Sequence, residues 1–157
     1  LTACEIAAWC KANGTTVYEY MIEIYKEVGF YYEGLINVVR KGRTGAEEIT
    51  QMMSDFRSNP PKEIAGSPVE EVKDFKEQTC FVVSKNEKKV MDDIPKSNVL
   101  IFYTQDGTKV CVRPSGTEPK IKFYVSVKDS ISSKEDFVAK LPKLEEKIAK
   151  VKQDLNL

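Results

Sequence analysis

Residues 110–127 read VCVRPSGTEPKIKFYVSV, and the middle of that run holds the groups best suited to chemistry. Pro114-Ser115-Gly116-Thr117-Glu118-Pro119 separates two alternating apolar stretches, with Arg113 on one side and Lys120 and Lys122 on the other. Ser115 and Thr117 supply hydroxyl donors without bulk. Gly116 permits the positive φ that a turn of converging backbone N–H groups often needs, and such a turn makes a concave nest for an anion. The two prolines limit the freedom lost on binding. Arg113 offers a planar fork to phosphate or carboxylate, and Lys120 and Lys122, on one strand face, add charge. The same residue types also build an ordinary surface turn. Glu118 opposes an anion unless its side chain points away.

Other chemistry is narrowed by what the chain holds. It has no histidine among its 157 residues, which removes the commonest general base and zinc ligand. Cys4, Cys10, Cys80 and Cys111 form no Cys-x-x-Cys pair, and their apolar or strand-like settings read as reduced core positions of a cytosolic protein rather than disulfides. Asp92-Asp93 reads as a solvated pair on a polar loop. Lys plus Arg equals Asp plus Glu at 24 each, so a uniformly basic nucleic-acid binder is disfavoured. No apolar run is long enough to span a membrane, and Glu5 and Lys11 interrupt any signal-peptide pattern. The chain begins at Leu1 inside an apparent helix, which suggests a piece of a longer protein.

The elements that must position the loop follow from periodicity. Residues 1–13 read as the end of a buried helix with Cys4, Ala7, Ala8 and Trp9 as its apolar contacts, stopped at Asn13-Gly14. Thr16-x-x-Glu19 fits a capping box for a second helix, with Val17, Tyr20, Met21, Ile24 and Val28 at helical spacing. Residues 30–40 suggest a strand. Gly42-Arg43-Thr44-Gly45 reads as a turn and Thr44-x-x-Glu47 as another capping box, opening a helix with Ile49, Met52, Met53 and Phe56 on its apolar face; Asn59-Pro60-Pro61 ends it.

Residues 69–75 are expected as a strand although Val69, Val72 and Phe75 are spaced by three, and 80–83 as a short strand before a polar loop at 85–89. Residues 98–105 and 108–113 predict strands joined by a two-residue hairpin at Asp106-Gly107. A strand over 120–127 follows. The last helix starts near Ser133, with Phe137, Leu141, Leu144, Ile148, Val151 and Leu155 as its stripe, a kink or restart at Pro142, and a solvated lysine-rich face from Lys140 to Lys152. The fold expected is α+β: a mostly antiparallel four-stranded sheet with two helices on one face, in the order strand-helix-strand-strand-strand-helix.

The run Arg113-Pro114-Ser115-Gly116-Thr117-Glu118-Pro119-Lys120-Ile121-Lys122 closely resembles the C-terminal phosphate-binding loop of the α-D-phosphohexomutases, the superfamily of phosphoglucomutase and phosphomannomutase. The stretch GAEEITQMMSDFRSNPP, residues 45–61, is similar to the longer bacterial phosphoglucomutases. The resemblance implies that residues 1–29 are the helical tail of a third domain and 30–157 a fourth, phosphate-binding domain. It implies a cytoplasmic isomerase in which a phosphoserine exchanges phosphoryl groups with a hexose 1-phosphate or 6-phosphate through a hexose 1,6-bisphosphate, with Mg2+ held by aspartates. The serine, the metal loop and the sugar-reading loop have no counterpart here, so the chain is expected to be non-catalytic alone, its partners being hexose phosphate and the preceding domains of the same protein, not nucleic acid or membrane. Carried over by position, Arg113, Ser115, Gly116 and Thr117 contact phosphate. Lys122 stands where several relatives have arginine, keeping the charge without the fork; Lys120 is a further candidate.

Two other classes stay open on residues alone. IKFYVSV, with Lys122 and Tyr124 on one face, could stack bases as a non-catalytic nucleic-acid module. The C-terminal helix stripe could serve an interaction domain.

Overall fold

The computed structural model describes residues 1–42 and 44–157. The expected turn at 42–45 includes Arg43, which lies outside the described residues. The elements run α1 (Thr2–Ala12), α2 (Val17–Val28), β1 (Phe30–Val39), α3 (Gly45–Ser58), β2 (Glu63–Ile64), β3 (Ser67–Asp74), β4 (Thr79–Val82), a 3-10 turn (Val83–Lys85), β5 (Glu87–Val90), β6 (Leu100–Thr104), β7 (Lys109–Pro114), β8 (Lys120–Asp129) and α4 (Lys134–Asp154). The fold is α+β as expected, but the sheet has eight strands rather than four, ordered β1-β8-β7-β6-β3-β4-β5 with β2 beside β3. The pairings among β2, β3, β4, β5, β6, β7 and β8 are antiparallel.

The additional strands have local causes. β5 falls on the lysine-rich stretch expected as loop: Lys88 and Lys89 pair with Phe81 and Cys80 of β4. All four β5 residues are exposed, as suits an edge strand whose charges discourage further pairing. The spacing of three in β3 comes from a register shift between Val69 and Glu71, an extra residue that reverses which side chains face the core.

Contacts divide the chain into two compact units, Leu1–Tyr32 with Lys128–Glu146, and Glu33–Val127 with Lys147–Leu157. In the first, Tyr18, Tyr25 and Phe30 gather around Phe137 with ring centroids 4.8–6.2 Å apart. The buried face of α2 centres on Ile22, while Val17, Ile24 and Val28 of the expected stripe are exposed. The expected burial of α1 is also corrected: Cys4, Ala7, Ala8 and Trp9 are exposed and only Cys10 is buried. Trp9 meets Tyr20 with tilted rings, their centroids 5.1 Å apart. Lys140 bridges Asp129 at 3.5 Å, so the lysine-rich face of α4 is not wholly solvated.

In the second unit, Val110, Val112, Ile121, Phe123 and Phe102 turn to one face of the sheet and are fully buried. Each such side chain contributes about 1.5–3 kcal/mol. Phe56 of α3 meets Phe102 and Phe123 at 6.1 and 5.8 Å, and Val151 and Leu155 of α4 are buried as expected. α4 runs through Pro142 without restarting. The β6–β7 hairpin turns on three residues, Gln105, Asp106 and Gly107, not two: Thr104 N–H donates to Thr108 O at 3.0 Å, and Gly107 takes φ +82. Asp106 organises that turn, accepting from Thr104 Oγ1 at 2.6 Å, Thr108 N at 3.1 Å and Thr108 Oγ1 at 2.9 Å. Lys147 reaches its other oxygen at 2.7 Å.

Two sequence-level expectations at helix starts diverge. Thr16 and Glu19 form the full capping box of α2. Thr44 does not cap α3: its own backbone is helical, and its hydroxyl turns to Glu48 at 3.1 Å instead of a first-turn N–H.

A loop and helix cavity at the end of the sheet

The run Ser115–Pro119 closes the β7–β8 hairpin. Alternation to the last pair, Pro114 opposite Ile121, fixes which way its flanking side chains point. Ser115 N–H donates to Lys120 O at 2.8 Å and Lys120 N–H to Glu118 O at 2.7 Å, which cinches the loop at its root. On the far side, Arg40 N–H donates to Pro119 O at 2.9 Å, tying the loop to the end of β1. The chain then turns into α3 at Gly45, where a Cβ would sit 2.2 Å from Arg40 O. Only glycine allows that close approach, and it brings the first turns of α3 alongside the loop.

Loop and helix enclose a cavity of about 350 Å³. Ser115, Gly116 and Thr117 of the loop line it, as do Ala46, Thr50 and Met53 of α3 and Asn98. Thr117 N–H lies 3.5 Å from Ser115 Oγ, a contact at the limit of hydrogen bonding. Gly116 departs from expectation: its φ is outside the positive region, and a Cβ there would meet no atom within 4 Å.

The cations are placed differently. Arg113 and Lys122 are directly opposite each other in the β7–β8 register, on the sheet face away from buried Val112, Ile121 and Phe123. They border the loop but do not line the cavity. Among the described residues neither forms an ion pair with a carboxylate, and like charges directly opposed across strands are unfavourable. Lys120 pairs with Glu118. The hydrogen bond from Lys120, its charge, and the charge of Lys122 hold the Glu118 carboxyl below its ordinary range. Glu118 is thus occupied chiefly by Lys120, and among the described residues Arg113 and Lys122 have no carboxylate of their own in ion-pair contact. Between Lys109 and Arg113, the half-buried Cys111 thiol is pushed up by burial, with both cations opposing.

The cysteines are all free, though not all in the core: Cys10 and Cys80 are buried, Cys111 is half-buried and Cys4 is exposed. Burial and a hydrogen bond to Glu71 push the Cys80 thiol up to about 11. Asp92 and Asp93 are exposed, and among the described residues no three Cys, Asp or Glu side chains converge as metal ligands would. No helix of the described residues is long and apolar enough to cross a membrane.

Sequence reasoning missed the helix wall and Asn98. The signal for the wall was present in α3: Ala46 and Thr50 are a small and a polar residue four apart, beside an otherwise apolar face. Asn98 carried no such signal.

Residues 35–144 match the family model described as phosphoglucomutase/phosphomannomutase, C-terminal domain. Phosphoglucomutase from Staphylococcus aureus strain MRSA252 is 38% identical over 122 residues, which is 78% of this chain and 22% of that protein. Phosphoglucomutase from strain bovine RF122 / ET3-1 is 37% identical over the same shares. A solved open form of parafusin, a phosphoglucomutase from Paramecium, aligns over 88% of this chain and 23% of that one, at 15% identity and a TM-score of 0.41. The chain spans about a fifth of the length of the curated relatives it matches, at 22%.

Proposed function

The chain belongs to the phosphoglucomutase/phosphomannomutase family, whose C-terminal domain it carries, and from that premise we propose that its 115–119 loop holds the phosphate of a hexose phosphate that is not being transferred. The observation that carries this reading is Gly116. Neither its backbone angle nor its packing calls for glycine, yet it lines a cavity between two hydroxyl residues. A bare Cα there leaves room for ligand atoms to approach the backbone N–H groups. Arg113 and Lys122 add positive charge at the loop root, and a bound dianion would relieve their mutual repulsion.

In the mechanism this supports, the chain's own residues bind and orient. Ser115 and Thr117 hydroxyls and the loop N–H groups donate to phosphate oxygens, while Arg113 and Lys122 lower the cost of bringing the charge there. Holding one phosphate fixes the sugar so that its other end can react elsewhere in the enzyme. Lys120, already paired with Glu118, contributes least. The phosphoryl-carrying serine, the magnesium site and the hexose 1,6-bisphosphate intermediate are assigned to the preceding domains of a longer cytoplasmic mutase. Residues 1–29 belong with those domains, and 30–157 form the phosphate-binding one.

Two results test this. In a coupled assay with glucose 1-phosphate and Mg2+, the 157-residue chain should show no mutase turnover above buffer; measurable turnover would refute the division of labour. In calorimetry, glucose 1-phosphate should bind the chain, and Arg113→Ala should bind it more weakly. Equal affinity in the two proteins would remove Arg113 from the site.

A further inference from the structure

Asn98 sits at the same end of the sheet as the loop. β6 begins two residues after it, with Leu100 opposite Val112, and Asn98 and Pro114, where the loop starts, line the same cavity. It lines the cavity together with Ser115, Gly116 and Thr117. Its orientation is held from two other elements. Arg57 of α3 donates from its terminal guanidinium nitrogen to Asn98 Oδ1 at 2.6 Å and from Nε to Asp74 Oδ2 at 3.0 Å. The Arg57 and Asp74 side chains are only 17% and 13% exposed, so the pair is screened from water and holds its geometry. Asp74 is itself fixed, accepting the Lys76 N–H at 2.9 Å.

A guanidinium has only donors, so the face of Asn98 turned to Arg57 must be its oxygen. The amide nitrogen then projects away from Arg57, and among the described residues it has no acceptor. A cavity of about 350 Å³ is within the range of organic-ligand sites, about 300–1,000 Å³, rather than a seat for one small anion.

From this convergence we infer that Asn98 is a second ligand contact, which donates its amide N–H to an oxygen acceptor on the non-phosphate part of a sugar phosphate whose phosphate rests on the loop. Arg57 and Asp74 are its positioning residues. The inference rests on the proposed reading of the loop as a phosphate site and adds recognition of the sugar by this same domain. Because the Asn98 oxygen is taken by Arg57, the contact selects an acceptor, a hydroxyl or ring oxygen, and discriminates against an apolar group there.

The test compares inorganic phosphate with glucose 1-phosphate by calorimetry on the 157-residue chain, its Asn98→Ala and Arg57→Met variants, and the double variant. Asn98→Ala should weaken glucose 1-phosphate binding roughly three- to tenfold, as loss of one hydrogen bond does, and leave inorganic phosphate affinity unchanged. Arg57→Met should reproduce that loss, and the double variant should add nothing to it, because the two residues act as one contact. If Arg57→Met fails to fold, the exposed Asn98→Ala variant decides alone. Unchanged glucose 1-phosphate affinity in Asn98→Ala, or equal weakening of both ligands, would overturn the inference while leaving the loop reading intact. If neither ligand binds the unaltered chain, the loop reading falls and this inference falls with it.

Discussion

Gly116 has φ outside the left-handed region and open space where a Cβ would be, so alanine there meets neither strain nor a clash. Gly116→Ala should therefore unfold in urea within about 0.5 kcal/mol of the unaltered chain, while its affinity for inorganic phosphate drops measurably in calorimetry. A large stability loss would mean the glycine serves the fold. Asp106 makes the opposite case. Burial alone would raise its pKa, but hydrogen bonds from Lys147, Thr104 and Thr108 outweigh that and hold the carboxyl well below its usual range. Its folded pKa is thus below an unfolded value of about 3.9. The stability it contributes is full above that value and is lost as pH falls through it toward the folded pKa. Asp106→Asn should cost roughly 1–2 kcal/mol at pH 7, discounted for partial exposure, and should flatten the acid side of the stability profile below about pH 4. The loop was legible because its chemistry is contiguous in the chain. Arg57, Asp74 and Asn98 were not, because their meeting depends on the register of three elements.

At the scale of elements, two threonines with the same local signature behave differently. Thr16 accepts the Glu19 N–H at 3.1 Å, and Glu19 accepts the Thr16 N–H at 3.0 Å. Thr44 makes no such cap. Thr16→Ala should lower stability by about 1 kcal/mol, and Thr44→Ala by less than about 0.5 kcal/mol, measured by denaturant midpoint. Equal costs would contradict the assignment. The long periodic elements were legible: the α4 stripe, β6, β7 and β8 fall where their patterns place them. Three features were not. β2 is two residues long, and it meets β3 through an Ala65-Gly66 turn with both φ positive, a geometry alanine rarely adopts. β5 has no apolar alternation because it is an exposed edge. The bulge in β3 breaks the period that would have identified that strand.

At the scale of the molecule, zero net charge coexists with local concentration of charge at the loop root, so composition alone understated what one sheet end can attract. Family membership supplies the frame, and the cavity between loop and α3 supplies the seat proposed within it. The most direct test is a backbone amide NMR titration of the 157-residue chain with inorganic phosphate. The largest shifts should fall at Ser115, Gly116 and Thr117, and Arg113→Ala should need more phosphate to reach them. A titration that leaves those three amides unmoved, or moves them equally in Arg113→Ala, would contradict the account.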